Sequence, residues 1–235
     1  MPTFKTYVFI LLFAFVALAP AHAKQDDNAL QQGNHFFALG QYEMALTQYR
    51  IAACASGEQQ AIAQFNIGVC HQRLGRTKEA VSAYREAIQS RNDHYAKASY
   101  ALGMALNELR DWKASRHAFA QAVEESGGRD AEALFHLALL LAREGDHETA
   151  AKKLRQAIKH AGKAFPGGHN NLGVIWAMRG RWDEAFREFE LALKESNGQL
   201  SEAADNLKLC RTLLDSSNRT LLASLKTSKS STMKG

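Results

Sequence analysis

Apolar residues along most of this chain recur with helical spacing, and the intervening positions are polar. In "LFHLALLLAREG" the apolar residues Leu134, Leu137, Ala138 and Leu141 fall at i, i+3, i+4 and i+7, one face of an α-helix. A glycine, Gly145, then ends the run and a second helical pattern follows. A glycine just past the last periodic residue marks a helix C-terminus, because it adopts the left-handed backbone without a Cβ penalty. The pattern therefore predicts a helical hairpin.

The hairpin recurs at a spacing of 35 residues. Gly40, Gly75, Gly145 and Gly180 share one register, in which Arg110 is the odd member. Gly33, Gly68, Gly103 and Gly173 share another, with Ala138 filling the gap. Five residues after the turn comes a small side chain: Ala45, Ala80, Ser115, Ala150 or Ala185. Bulky Tyr49, Tyr84, Phe119, Leu154 and Phe189 follow, then Ala52, Ala87, Ala122, Ala157 and Ala192. Landmarks held without insertion through five copies identify a repeat array. The units are 26–60, 61–95, 96–130, 131–165 and 166–200, within a repeat region of 24–200. Residues 201–219 keep the register with more polar outer positions, as a solenoid's terminal cap needs. Residues 220–235 read as one short turn and a disordered basic tail.

Units of this length and pattern resemble the tetratricopeptide repeat (TPR) family. The likeness is sharpest in the fifth unit, where Leu172, Gly173, Trp176, Gly180, Ala185, Phe189 and Ala192 fall on the family's signature positions. The proline usual near the end of a unit is missing in every copy. The resemblance implies an all-α, right-handed superhelical solenoid of about five hairpins with a C-terminal capping helix. It also implies a concave groove, lined by the first helices, that binds a protein or peptide segment. The groove registers are Phe65, Tyr100 and Phe135, with Val69, Met104, Leu139 and Val174 four residues on. These rings are expected to form an accessible ladder. Some members of the family hold a partner's C-terminal carboxylate in a clamp of amide and basic side chains. Asn34, Asn66 and Lys97 fall on three of those registers, whereas Leu30 and Ala101 stand where the clamp has basic residues.

The N-terminus departs from the repeat. Lys5 precedes a 13-residue apolar run, "YVFILLFAFVALA", and then "AHA" and a polar stretch. A short basic region, an apolar core below the ~20 residues that span a bilayer, and an A-x-A end describe a signal peptide over 1–23. Export is the expectation, to the periplasm in a Gram-negative cell and otherwise by secretion, with no stable membrane insertion once the leader is cut. The formal net charge is +5 from 29 Lys and Arg against 24 Asp and Glu, and no dense basic block occurs, so nucleic acid is not the expected partner.

Catalytic and ligand-binding signals are missing. The nine histidines do not cluster, those in the array fall on different registers, and no HExxH, CxxC, GxSxG or phosphate loop occurs. No catalytic residue, cofactor or metal is assigned. Cys70 and Cys210 share an interior register four repeats apart and are expected as buried thiols, with Cys54 the accessible one. The expected role is a non-catalytic interaction scaffold in envelope, secretion or pilus-type assembly. The alternative is a chaperone or regulatory subunit of an envelope enzyme complex such as cytochrome maturation.

N-terminal sequencing of the exported protein is expected to begin at Lys24. A mature chain that begins at Met1 and stays with the membrane fraction overturns the leader assignment.

Overall fold

Eleven helices are found, and no strand, among the residues that the structure, a computed structural model, describes: 19–92 and 94–216. The helices are α1 (Ala19–Ala38), α2 (Tyr42–Ala52), α3 (Glu58–Arg73), α4 (Thr77–Gln89), α5 (Ala96–Glu108), α6 (Trp112–Glu125), α7 (Ala131–Arg143), α8 (His147–His160), α9 (Pro166–Met178), α10 (Trp182–Glu195) and α11 (Ser201–Ser216). They form an all-α solenoid of helical hairpins. The apolar leader core lies outside the described residues except for Ala19, and so does the tail at 220–235. The expected cut after Ala23 falls within α1. Among the described residues, no helix is long and apolar enough to cross a membrane.

Two compact units divide the chain between Asp111 and Trp112, inside the third sequence repeat. In the first, hairpins α1–α2 and α3–α4 stack, and α5 packs on α4. In the second, α6 packs on α7, hairpins α7–α8 and α9–α10 stack, and α11 covers α10. Within each unit, α3 and α9 thus touch both their own partner and the second helix of the hairpin before them.

Every hairpin turn is built the same way. Gly40, Gly75, Gly145 and Gly180 have φ between 73° and 88°, and Arg110 takes the same left-handed conformation at 62°. In each the turn residue donates to the carbonyl three residues back and the next residue to the carbonyl five back. Examples are Gly75 N to Gln72 O (3.0 Å) with Arg76 N to His71 O (2.9 Å), and Arg110 N to Asn107 O (3.1 Å) with Asp111 N to Leu106 O (3.0 Å). This paired closure satisfies the last helical carbonyls that otherwise lack donors. Its geometry is thus independent of the side chain at the turn, which explains how Arg110 keeps the register.

The hairpins close on a ring laid against a glycine. A Cβ placed on Gly33 meets Tyr49 Cε1 at 2.5 Å, one on Gly68 meets Tyr84 Cε1 at 2.5 Å, and one on Gly173 meets Phe189 Cε1 at 2.6 Å. Tyr84 and Phe189 are fully buried, and Tyr49 nearly so. In the fourth repeat the first helix carries Ala138 and the second carries Leu154 instead of a ring, both fully buried. The added methyl and the smaller partner keep the filled volume similar, as close-packed interiors require. Ala45, Ala80, Ala150 and Ala185 are fully buried at the crossings, as their small register implies.

The terminal helix α11 buries a single stripe, Ala203, Asn206, Cys210 and Leu213, and most of its other described positions are exposed or partly so. One buried face suits an end helix with neighbours on one side only. Within the stripe Asn206 Nδ2 donates to Asn170 Oδ1 (2.9 Å), and Asn170 Nδ2 to Asn171 Oδ1 (3.2 Å). This ladder satisfies three buried amides that would be costly if unpaired. Cys70 and Cys210 are buried free thiols and Cys54 is exposed, in line with their registers.

Two substitutions test this account. Gly to Ala in a helix interior ordinarily gains about 0.5–1 kcal/mol. At Gly173 the clash with the immobile Phe189 ring outweighs that, and Gly173→Ala is expected to cost about 1–2 kcal/mol by denaturant unfolding. Combined with Phe189→Leu, which recreates the Ala138–Leu154 pairing, it is expected to show a favourable coupling of about 0.5 kcal/mol or more. Additive losses mean that ring and glycine do not meet. Arg110→Gly removes a left-handed L-residue, which costs about 1–2 kcal/mol, and is expected to raise stability by up to about 1 kcal/mol after the larger chain entropy of glycine. A fall in its unfolding midpoint contradicts the turn geometry.

Candidate functional site

Two faces of α3 open onto clefts of the first unit. Residues 65, 66, 69 and 73 lie on one face at spacings of three and four, and 64, 67 and 71 on another. The first face, with α1, α2 and α5, lines a cleft of about 350 Å³ formed by Asn34, Phe37, Tyr49, Phe65, Asn66, Val69, Arg73 and Lys97. The three clamp-register residues, Asn34, Asn66 and Lys97, therefore come together, and with them two of the groove residues, Phe65 and Val69.

Hydrogen bonds set the polarity of this cleft. The Tyr49 hydroxyl donates to Asn34 Oδ1 (2.8 Å), and Asn66 Nδ2 donates to the same oxygen (3.4 Å). Burial, and then the neighbouring Cys70, pushes the Tyr49 hydroxyl up to about 12, so it stays protonated and donates across the physiological range. With its oxygen doubly occupied, Asn34 presents its NH₂ to the cleft. Arg73 and Lys97, both exposed, add only donors, and no carboxylate lines the walls. The Lys97 ammonium stands 4.7 Å from the Phe65 ring centre, a cation–π contact that holds it beside the apolar wall. The cleft suits an acceptor-rich ligand, such as a carboxylate or the carbonyls of an extended peptide, with an apolar group against Phe65, Phe37 and Val69.

Sequence reasoning missed Phe37, Tyr49 and Arg73. Arg73 had a legible signal, since it continues the Asn66–Val69 stripe by one turn. Tyr49 reads as a core ring by register, and only the folded hairpin shows its hydroxyl reaching the residue next to Gly33.

The expected ladder of accessible rings is corrected by burial. Phe135 is 0% exposed and Phe65 is 7% exposed. Phe65 packs against Tyr84 (5.6 Å between ring centres) and Tyr95 (5.7 Å), and Phe135 against Phe165 (5.2 Å). Tyr95 and Phe165 each immediately precede a first helix, 30 residues after the ring they meet. A turn residue thus covers the register that the helical period alone left open. Val174 is likewise buried, at 4% exposure. Tyr100, Met104 and Leu139 are half-buried, and none of the three lines the cleft.

The other cleft, about 490 Å³, lies over Gln64, Ile67 and His71 of α3 between α2 and α4. It carries both signs, Arg50 against Glu79 and Glu86. Burial holds the His71 imidazole below its ordinary range, and its Nδ1 is buried without a hydrogen-bond partner. Mixed charge gives this cleft no preference for one ligand class, so it is the weaker candidate.

Solved structures similar to this one share its fold at low identity. MamA has a TM-score of 0.65 and 19% identity, over 76% of this chain and 96% of that one. YrrB, a TPR protein with an unusual peptide-binding site, has a TM-score of 0.64 and 21% identity, over 80% and 94%. PilF of Pseudomonas aeruginosa has a TM-score of 0.64 and 17% identity, over 87% and 90%. Comparison with curated proteins returned no match. The family model for the tetratricopeptide repeat matches residues 30–96, 100–169 and 150–200, which is most of the chain. With the 35-residue register, the repeated turn and the glycine–ring crossings, this establishes that the chain belongs to the tetratricopeptide repeat family.

Proposed function

We propose that the protein is an exported, non-catalytic scaffold that holds a segment of a partner protein in the cleft of its first unit. The observation that carries this reading is the pair of cationic donors Arg73 and Lys97, with the Asn34 NH₂, set beside the Phe65 wall and with no carboxylate among the lining residues. Backbone carbonyls and a terminal carboxylate are acceptors, so an extended segment ending or bending in the cleft meets matched partners. Charge-assisted bonds from Arg73 and Lys97 are the strong ones, at about 1.5–3 kcal/mol each. YrrB has an unusual peptide-binding site on the same fold, which supports peptide binding as a use of this architecture. Export rests on the leader pattern at 1–23, and with it a place in envelope, secretion or pilus-type assembly.

The test pairs capture with chemistry. Asn34→Ala with Lys97→Ala is expected to leave the melting temperature within a few degrees and to weaken peptide binding at least about tenfold, equivalent to about 1.4 kcal/mol. Screening the mature protein against peptides with free or amidated C termini reads which acceptor the cleft takes. Crosslinking in the native compartment, followed by identification of what is captured, names the partner. Equal capture by wild type and variant overturns the assignment of this cleft.

A further inference from the structure

Three guanidinium groups surround one indole in the second unit. Trp176 of α9 is 4% exposed, and the guanidinium carbons of Arg181, Arg155 and Arg179 lie 4.4, 4.7 and 5.9 Å from its ring centre. Arg155 comes from α8, Arg179 and Arg181 from the turn between α9 and α10. Arg181 is ion-paired with Glu184, its Nε 3.0 Å from Oε1. Neither Arg155 nor Arg179 forms an ion pair among the described residues. Three cations less one carboxylate leave a local charge of 3 − 1 = +2.

Shielding the indole does not need this arrangement. Trp112 is met by one guanidinium, that of Arg143, at 3.9 Å. The second and third cations at Trp176 add mutual repulsion in return for modest cation–π attraction. An anion between them turns that repulsion into attraction. Stacking on the ring also restrains the long side chains before any ligand arrives, which lowers the entropy lost when their planar forks engage an oxyanion.

We propose that Arg155, Arg179 and Arg181 around Trp176 form a docking site for an acidic segment of a partner protein, separate from the cleft of the first unit. Glutamate or aspartate side chains match the guanidinium forks in charge and in bidentate geometry. The two unpaired guanidiniums belong to different chain segments, α8 and the α9–α10 turn, so two carboxylates of one acidic segment can each take one planar fork. The indole is buried beneath the cluster and the exposed arginines supply the contact surface, arginine being among the residues enriched at protein contacts.

The probe is a fluorescein-labelled oligoglutamate peptide with an amidated C terminus, titrated into the full chain and followed by anisotropy. Saturable binding that weakens with salt is expected. Arg155→Gln with Arg179→Gln is expected to weaken it at least about tenfold, with an unchanged helical spectrum. Lys152→Gln with Lys159→Gln removes the same charge from exposed positions of the same helix and is expected to change binding by less than about twofold. The Trp176 indole N–H resonance is expected to shift on binding and that of Trp112 to stay. Should the double glutamine variant unfold, Arg155→Lys with Arg179→Lys, which keeps charge and loses the fork, serves instead and is expected to weaken binding. Asn34→Ala with Lys97→Ala is expected to leave the shift of the Trp176 indole N–H resonance on oligoglutamate binding unchanged, so this site and the cleft fail separately. Equal losses in the arginine and lysine variants overturn the proposal. So does displacement of the peptide by inorganic phosphate at matched charge, or preferential binding to phosphatidylserine vesicles.

Discussion

The contact on which the rest of the molecule depends is an aromatic ring pressed against a glycine. Gly33 with Tyr49, Gly68 with Tyr84 and Gly173 with Phe189 leave no room for a single methyl group. Because the ring enters the space a Cβ would occupy, the two helices of the hairpin approach closely and bury the small alanines at Ala45, Ala80 and Ala185. The hairpin then presents the same outline to the next one, in keeping with the constant 35-residue spacing of the five copies. A left-handed turn residue with its paired backbone closure fixes the angle at which the chain returns.

The candidate cleft is a by-product of that packing. Filling the Gly33 slot carries the Tyr49 hydroxyl past the core to Asn34, the neighbour of the glycine in sequence. The same ring therefore closes the hairpin and orients the amide that faces the cleft. The other hairpins lack this link. Tyr84 turns its hydroxyl to Gln72, and Phe189 has none. One repeat unit can thus be specialised for binding while its siblings remain structural, without change to the shared backbone.

Electrostatics divides the surface in the same way. The cleft collects donors from α1, α3 and α5, whereas the Trp176 cluster collects guanidiniums from α8 and the α9–α10 turn. Some cations elsewhere are paired, as in Arg76 with Glu43 at 2.5 Å and Arg116 with Glu144 at 3.2 Å. Those pairs are exposed and contribute little to stability. Groups left unpaired beside an aromatic wall are available for a partner.

Much of the fold was legible in the sequence, because a repeated hairpin writes its geometry into residue spacing. The 35-residue ruler located each turn, each glycine–ring crossing, the buried thiols Cys70 and Cys210, and the end helix with one buried stripe. Asn34, Asn66 and Lys97 were legible as a group only through the family resemblance, since they lie on three different helices. Tertiary structure decided the rest. Helical periodicity reports which face a residue occupies and says nothing of what a turn lays over that face. Tyr95 and Phe165 sit in turns, where no period operates, and they bury Phe65 and Phe135. Arg73, Tyr49 and the Arg155–Trp176 contact likewise join residues from separate helices, and only the packed hairpins set their distances. Local spacing thus determined the repeat and its core, and packing between helices determined which side chains remain free to bind.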